Sequence, residues 1–209
     1  MIVKHFELKK KIEDRINFYL LYGENSGLIE ETINTILKPI FSQNIFNYDE
    51  NDILLKLNNF EEEIYNKSFF ENDKLIIINR ASDKILNIIE NIVDSRTNNL
   101  KIIIKTGLLE KKSKLRGFFE KNKDTIIVPF YEDNYQSLMF IAQNFFKEKK
   151  IKISSQNINF IIERAKGNRI NLRNELTKIF NYSKNKLSIE FDELLKLCPS
   201  FFLLHFVVH

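Results

Sequence analysis

The chain has 209 residues, of which 44% are apolar and 29% charged, and its 32 basic and 28 acidic side chains leave a net charge of +4. Domains commonly span about 100–200 residues, so this length fits one large domain or two small ones; the charge surplus is too small to establish a nucleic-acid partner. The longest uncharged apolar-rich stretch, residues 198–209, falls short of the roughly 20 residues that cross a bilayer, so no membrane segment is expected.

The N-terminus carries charges at Lys4, Glu7, Lys9 and Lys10 and no unbroken apolar core, which excludes a secretory signal. A single cysteine, Cys198, excludes an intrachain disulfide and suits a reducing compartment. The expectation is a soluble cytoplasmic protein. The basic residues are 25 Lys and only 7 Arg, beside 31 Ile, 25 Asn and 3 Ala. That bias has the character of AT-rich codon usage, and the isoelectric point of about 8.9 leaves contact with DNA open.

In chain order, four runs rich in Ile or aromatics predict strands covered on both faces: Phe18 to Tyr22, Lys74 to Ile78, Leu100 to Lys105 and Thr125 to Val128. A weaker fifth lies around Ile45 to Tyr48. Helical spacing fills the intervals. Ser26 or Gly27 opens a helix through Leu28, Ile29, Ile33, Ile36 and Leu37, with Pro39 expected to stop it. Asp52 to Tyr65 and Ser82 to Val93 repeat the pattern, Ser82 serving as a cap. After Pro129 strands vanish, which marks a boundary near residues 129–134. Asp133 is expected to cap a helix through Leu138, Ile141, Ala142 and Phe146, and Ser154 or Ser155 the next. Gly167 precedes a third, and Ser188 opens a last one with Glu190 and Asp192 in its first turn. The pattern predicts an α/β domain with a parallel sheet over residues 1–131, then a small lid of three or four helices over residues 132–197. Residues 198–209 form an atypical apolar tail.

The turn Gly23-Glu24-Asn25-Ser26-Gly27 joins the first strand to a helix, where a phosphate-cradling loop sits in nucleotide-binding domains. Such a loop needs GxxxxGK[ST], but its glycine, lysine and hydroxyl positions fall on Leu28, Ile29 and Glu30. A carboxylate at the Mg²⁺-holding position repels a triphosphate, so the loop reads as a shape that has lost its chemistry. His5, His205 and His209 lie at the chain ends and Cys198 has no His-containing motif beside it. Neither a metal site nor a catalytic residue is expected, and no cofactor. Glu61, Glu62 and Glu63 read as a solvated helix face.

Ser68, Phe69 and Phe70 stand at a helix-to-strand corner. Adjacent helical side chains point about 100° apart, so both rings do not readily enter one core. Either the pair packs beneath its loop, or one ring is exposed as an anchor for a partner's pocket. Farther on, Arg169 and Arg173 lie four residues apart after Gly167. They suit either a lid contact to a γ-phosphate or an exposed helix whose Arg173 pairs with an acid.

The order of parts is familiar. Tyr19-Leu20-Leu21-Tyr22-Gly23-Glu24 with Leu28-Ile29-Glu30-Glu31, then Ser68-Phe69-Phe70 before an apolar strand, begins the series. Leu115-Arg116-Gly117-Phe118-Phe119-Glu120-Lys121, Val128-Pro129-Phe130-Tyr131, and Gly167-Asn168 through Asn174-Glu175-Leu176-Thr177-Lys178 complete it. Together, over about residues 17–197, these segments resemble the delta subunit of the bacterial DNA polymerase III clamp loader.

The resemblance implies an AAA-type module without ATPase activity: a P-loop-like parallel-sheet domain whose loop at Gly23, Glu24, Asn25, Ser26 and Gly27 has decayed, then a helical lid. It implies a part in DNA replication: the tip of the first domain binds the beta sliding clamp and opens it for loading on primed DNA. The anchor falls on Ser68, Phe69 and Phe70, with Lys67 where a further apolar residue can stand. The lid register puts Ile170 where an active ATPase keeps its arginine. Other implied partners are the gamma/tau and delta prime loader subunits, with primed DNA contacted indirectly. The chain would then belong to a DNA-directed DNA polymerase holoenzyme, a nucleotidyltransferase, while having no catalytic site of its own. Delta subunits continue into a collar domain, whereas residues 198–209 do not resemble one; a frameshift or early stop would produce such a tail. The alternatives are an atypical P-loop ATPase and a helical DNA-binding protein working through its Lys-rich lid.

Overall fold

The structure, a computed structural model, describes residues 1–41, 44–65, 74–95, 100–183 and 188–197. The chain divides into two compact units, Met1–Glu132 and Asp133–His209.

In the first unit the strands are β1 (Phe18–Gly23), β2 (Asn44–Asp49), β3 (Lys74–Asn79), β4 (Leu100–Thr106) and β5 (Thr125–Phe130). They pair in the order β2-β3-β4-β1-β5, every pair parallel. Unbroken apolar runs, Leu75–Ile78, Ile102–Ile104 and Ile126–Val128 among them, mark the strands whose two faces are covered, the edge strand β5 included. Register is fixed side by side: Ile103 sits opposite Ile77 on one flank and Tyr19 on the other. β2, the weakest run by composition, is an edge strand with only half-buried and exposed residues.

Alternate residues of β1 face opposite ways, as the pleat requires. Tyr19 and Leu21 join one apolar cluster with Ile77, Ile103 and Val128, covered by α1 (Leu8–Lys11), α2 (Ser26–Thr32) and α3 (Lys38–Phe41). Phe18, Leu20 and Tyr22 join the other with Ile76, Ile102 and Ile104. That face is covered by α4 (Glu50–Leu55), α5 (Leu57–Tyr65), α6 (Leu86–Asp94) and α7 (Lys114–Lys121).

Two local expectations change. Pro39 does not stop its helix. The chain passes through a wide π-turn at Ile33–Leu37, in which the Lys38 amide donates to the Ile33 carbonyl five residues back, and continues as α3 through Pro39. Proline has no N–H for the Thr35 carbonyl and its ring crowds that group, and the wider turn accommodates both defects. The single helix expected over Asp52–Tyr65 is two, broken at Lys56, whose φ and ψ of −131° and 49° lie outside the helical region.

The second unit packs α8 (Tyr135–Glu148), α9 (Ser155–Arg164), α10 (Arg169–Tyr182) and α11 (Phe191–Leu197) around Leu138, Phe146, Ile161, Leu172, Leu176 and Leu194. Ser154 and Asn168 cap α9 and α10 by accepting from amides three residues on. The cap of α8 is Asn134 rather than Asp133, because the Asp133 carboxylate is engaged by an arginine. Ser188 does not open the last helix: it forms an isolated bridge with Lys152, and α11 begins at Phe191.

Ile103 is fully buried between two neighbouring strands. Ile103→Ala is therefore expected to destabilise the first unit by about 3–4 kcal/mol through lost burial and a residual cavity, measured by urea denaturation; an unchanged midpoint would contradict this core.

Candidate functional site

The C-terminal ends of β1, β3 and β4 border a cleft of about 430 Å³, lined among others by Gly23, Ser26, Glu30, Arg80, Lys105 and Gly107. In open α/β sheets this end of the strands is where ligands bind. Its floor is the turn from β1 to α2. Gly23 has φ +137°, and a β-carbon there would lie 2.0 Å from the Phe130 carbonyl oxygen, so only glycine lets the two backbones approach. The Gly23 amide donates to the Gly107 carbonyl at 3.1 Å, which joins the ends of β1 and β4.

Asn25 organises the rest of the turn. Its Oδ1 accepts from the Leu28 amide at 3.0 Å and caps α2. Its Nδ2 donates to the Tyr131 carbonyl at 3.0 Å, and its amide to the Phe130 carbonyl at 3.4 Å. At the positions where a phosphate-binding loop needs lysine and hydroxyl, Ile29 is buried in the apolar core and Glu30 accepts from the Lys105 ammonium. Arg80, held at φ 52°, pairs with Asp49 at 2.6 Å. The two cations of the cleft are thus each engaged by a carboxylate. Such partly exposed pairs contribute little stability, but they set the local charge.

Lys105 and Arg80 were not singled out by sequence reasoning. Lys105 read only as the end of an apolar strand, and its partner stands 75 residues away. Beside the cleft, Asp83 accepts from the Ser113 hydroxyl at 2.6 Å and from the Lys114 and Leu115 amides at 3.0 Å each. These bonds hold its carboxyl below the usual aspartate range. Glu50, buried, accepts from the Ser82 amide at 2.7 Å. Among the described residues no group of three or more His, Cys, Asp or Glu is arranged to hold a metal ion.

In the helical unit Arg169 makes a bidentate pair with Asp133, Nε to Oδ2 and Nη2 to Oδ1 at 2.7 Å each, with side chains only 10% and 6% exposed. Asp133 also accepts from the Ser137 hydroxyl at 2.9 Å. Arg169 is therefore spent inside its own unit, while Ile170 is exposed. The aromatic corner, Ser68, Phe69 and Phe70 with Lys67, lies outside the described residues, as does the tail, residues 198–209.

A family model described as DNA polymerase III, delta subunit, matches residues 19–130, more than half of the chain. No curated protein matches. Among solved structures, the Bacillus subtilis DNA clamp loader delta protein is similar at 16% identity with a TM-score of 0.57, over 94% of this chain. Domain III of the Thermotoga maritima replication initiation protein DnaA is similar at 14% identity and 0.54, over 92% of this chain and 87% of that one. The Thermotoga maritima RuvB Holliday junction branch migration motor is similar at 16% and 0.58, over 86% of this chain and 60% of that one. These likenesses establish an AAA-type α/β fold followed by helices. The chain spans 61% of the length of the clamp loader delta protein.

Gly23→Ala is expected to cost on the order of 3 kcal/mol through positive-φ strain and the clash with Phe130, read by thermal unfolding; a neutral effect would contradict the close approach. Asp133→Asn, which leaves a buried guanidinium short of a counter-charge, is expected to cost about 3–5 kcal/mol in the helical unit, measured by denaturant titration followed through helix content. A loss below about 1 kcal/mol, the level of a surface pair, would contradict it.

Proposed function

The chain belongs to the DNA polymerase III delta-subunit family, and from that premise we propose that it binds the sliding clamp and favours its open form for loading on primed DNA. The observation that carries this reading is the family match over residues 19–130, which includes the segment with Ser68, Phe69 and Phe70. In the proposal these two rings anchor in an apolar pocket of the clamp. In the proposal residues 1–131 are the clamp-binding domain and residues 132–197 its lid. The other loader subunits are the further partners, DNA is contacted through the assembled complex, and the compartment is the cytoplasm.

The mechanism needs no bond-making by this chain. A subunit that contacts the clamp more strongly in its open form shifts the clamp's equilibrium by that difference in affinity and by no more. Two phenyl rings supply roughly 1.5–3 kcal/mol each when fully buried, enough to anchor a contact whose remaining area supplies shape. The cleft supports the same division of labour: with Glu30 on Lys105 and Ile29 in the core, the place of a nucleotide's phosphates is taken by an internal ion pair.

The test is retention on immobilised clamp of the full chain and of the Phe69→Ala/Phe70→Ala double variant. Loss of both rings is expected to weaken binding by about 100-fold or more, the equivalent of roughly 3 kcal/mol; equal retention rejects the site.

A further inference from the structure

We propose that the β1–α2 turn, at the place where a P-loop would hold phosphates, acts in this chain as a clasp that holds Tyr131, the residue following β5, by its backbone without any ligand. This inference rests on the fold and stands whether or not Phe69 and Phe70 grip a clamp.

Asn25 is 7% exposed, and each of its polar groups is in use. One oxygen caps α2, and the remaining donors reach forward to the carbonyls of Phe130 and Tyr131. A helix cap needs only the oxygen. The Nδ2 bond to Tyr131 is additional, and it spans 106 positions of sequence. Gly23 contributes by absence: without a β-carbon it lets the Phe130 carbonyl lie against the turn. The Tyr131 side chain is 77% exposed, so burial does not hold this residue in place. Its carbonyl does, through Asn25.

Just downstream, Asp133 is anchored within the helical unit by Arg169. Between the clasped carbonyl of Tyr131 and the buried carboxylate of Asp133 stands only Glu132, whose side chain is exposed. Each of the two residues is held by groups of its own unit.

The test is limited chymotrypsin digestion of the full chain, with cleavage after Tyr131 followed by mass spectrometry, since cutting there requires the segment to open locally. Asn25→Asp keeps the capping oxygen and removes the Nδ2 donor. It is expected to speed this cleavage about fivefold, the factor that one hydrogen bond of ordinary net strength represents, with the thermal midpoint of the helical unit unchanged. Wild-type cleavage is expected to be the same with and without millimolar Mg²⁺-ATP. The proposal is overturned if Asn25→Asp is cut at the wild-type rate, including the case in which only Asn25→Ala is faster, because Asn25 would then act as a helix cap alone. It is equally overturned if nucleotide slows cleavage of the wild type, a result that decides even where the variants fail to fold.

Discussion

The Phe130 carbonyl occupies the space that a side chain at position 23 would need, and much of the first unit's active end follows from that one contact. With β5 drawn against the β1–α2 turn, the Asn25 amide meets the same carbonyl and its side chain meets the next one. The turn is then closed from within. A loop of the same outline in a nucleotide-binding domain keeps its amides free for phosphate oxygens; here the amides of Gly23, Asn25 and Ser26 donate to the carbonyls of Gly107, Phe130 and Glu24.

Charge follows the same logic as shape. Lys105 at the end of β4 points at the cleft, and Glu30 on α2 meets it. Arg80, one residue past β3, is met by Asp49 at the end of β2. In the helical unit Arg169 is met by Asp133. Each pairing removes a cation that an anionic ligand would otherwise use, and the burial of Ile29 removes the position from which a phosphate-binding lysine acts.

Strands were the most legible part of the chain, because runs such as Leu75–Ile78 and Ile102–Ile104 are buried on both faces and leave no polar residue to blur the pattern. β2 read weakly for the converse reason: its residues are only half-buried or exposed, and its composition shows it. The order of strands in the sheet was not legible, since periodicity reports burial and not neighbours. Among caps, Ser82 and Ser154 were readable from type and place. Asp133 was misread because Arg169, 36 residues away, claims its carboxylate and leaves the role to Asn134. Pro39 misled because the π-turn that accommodates it has no sequence signature of its own. At the cleft, the loss of the lysine and hydroxyl positions was visible, whereas the partners of Glu30 and Asn25 were not, each lying more than seventy residues from its mate.

β1 is flanked on one side by β4 and on the other by β5, both encoded far downstream of it. A growing polypeptide that has reached only β2 and β3 therefore carries Tyr19, Leu20 and Leu21 with nothing to zip against. Long-range parallel pairing of this kind is slow, and exposed apolar segments invite aggregation while they wait. Emergence of residues 100–106 from the ribosome is the earliest moment at which the sheet's centre can close, so until then β2 and β3 can pair with each other while the β1 segment has to be kept from other chains.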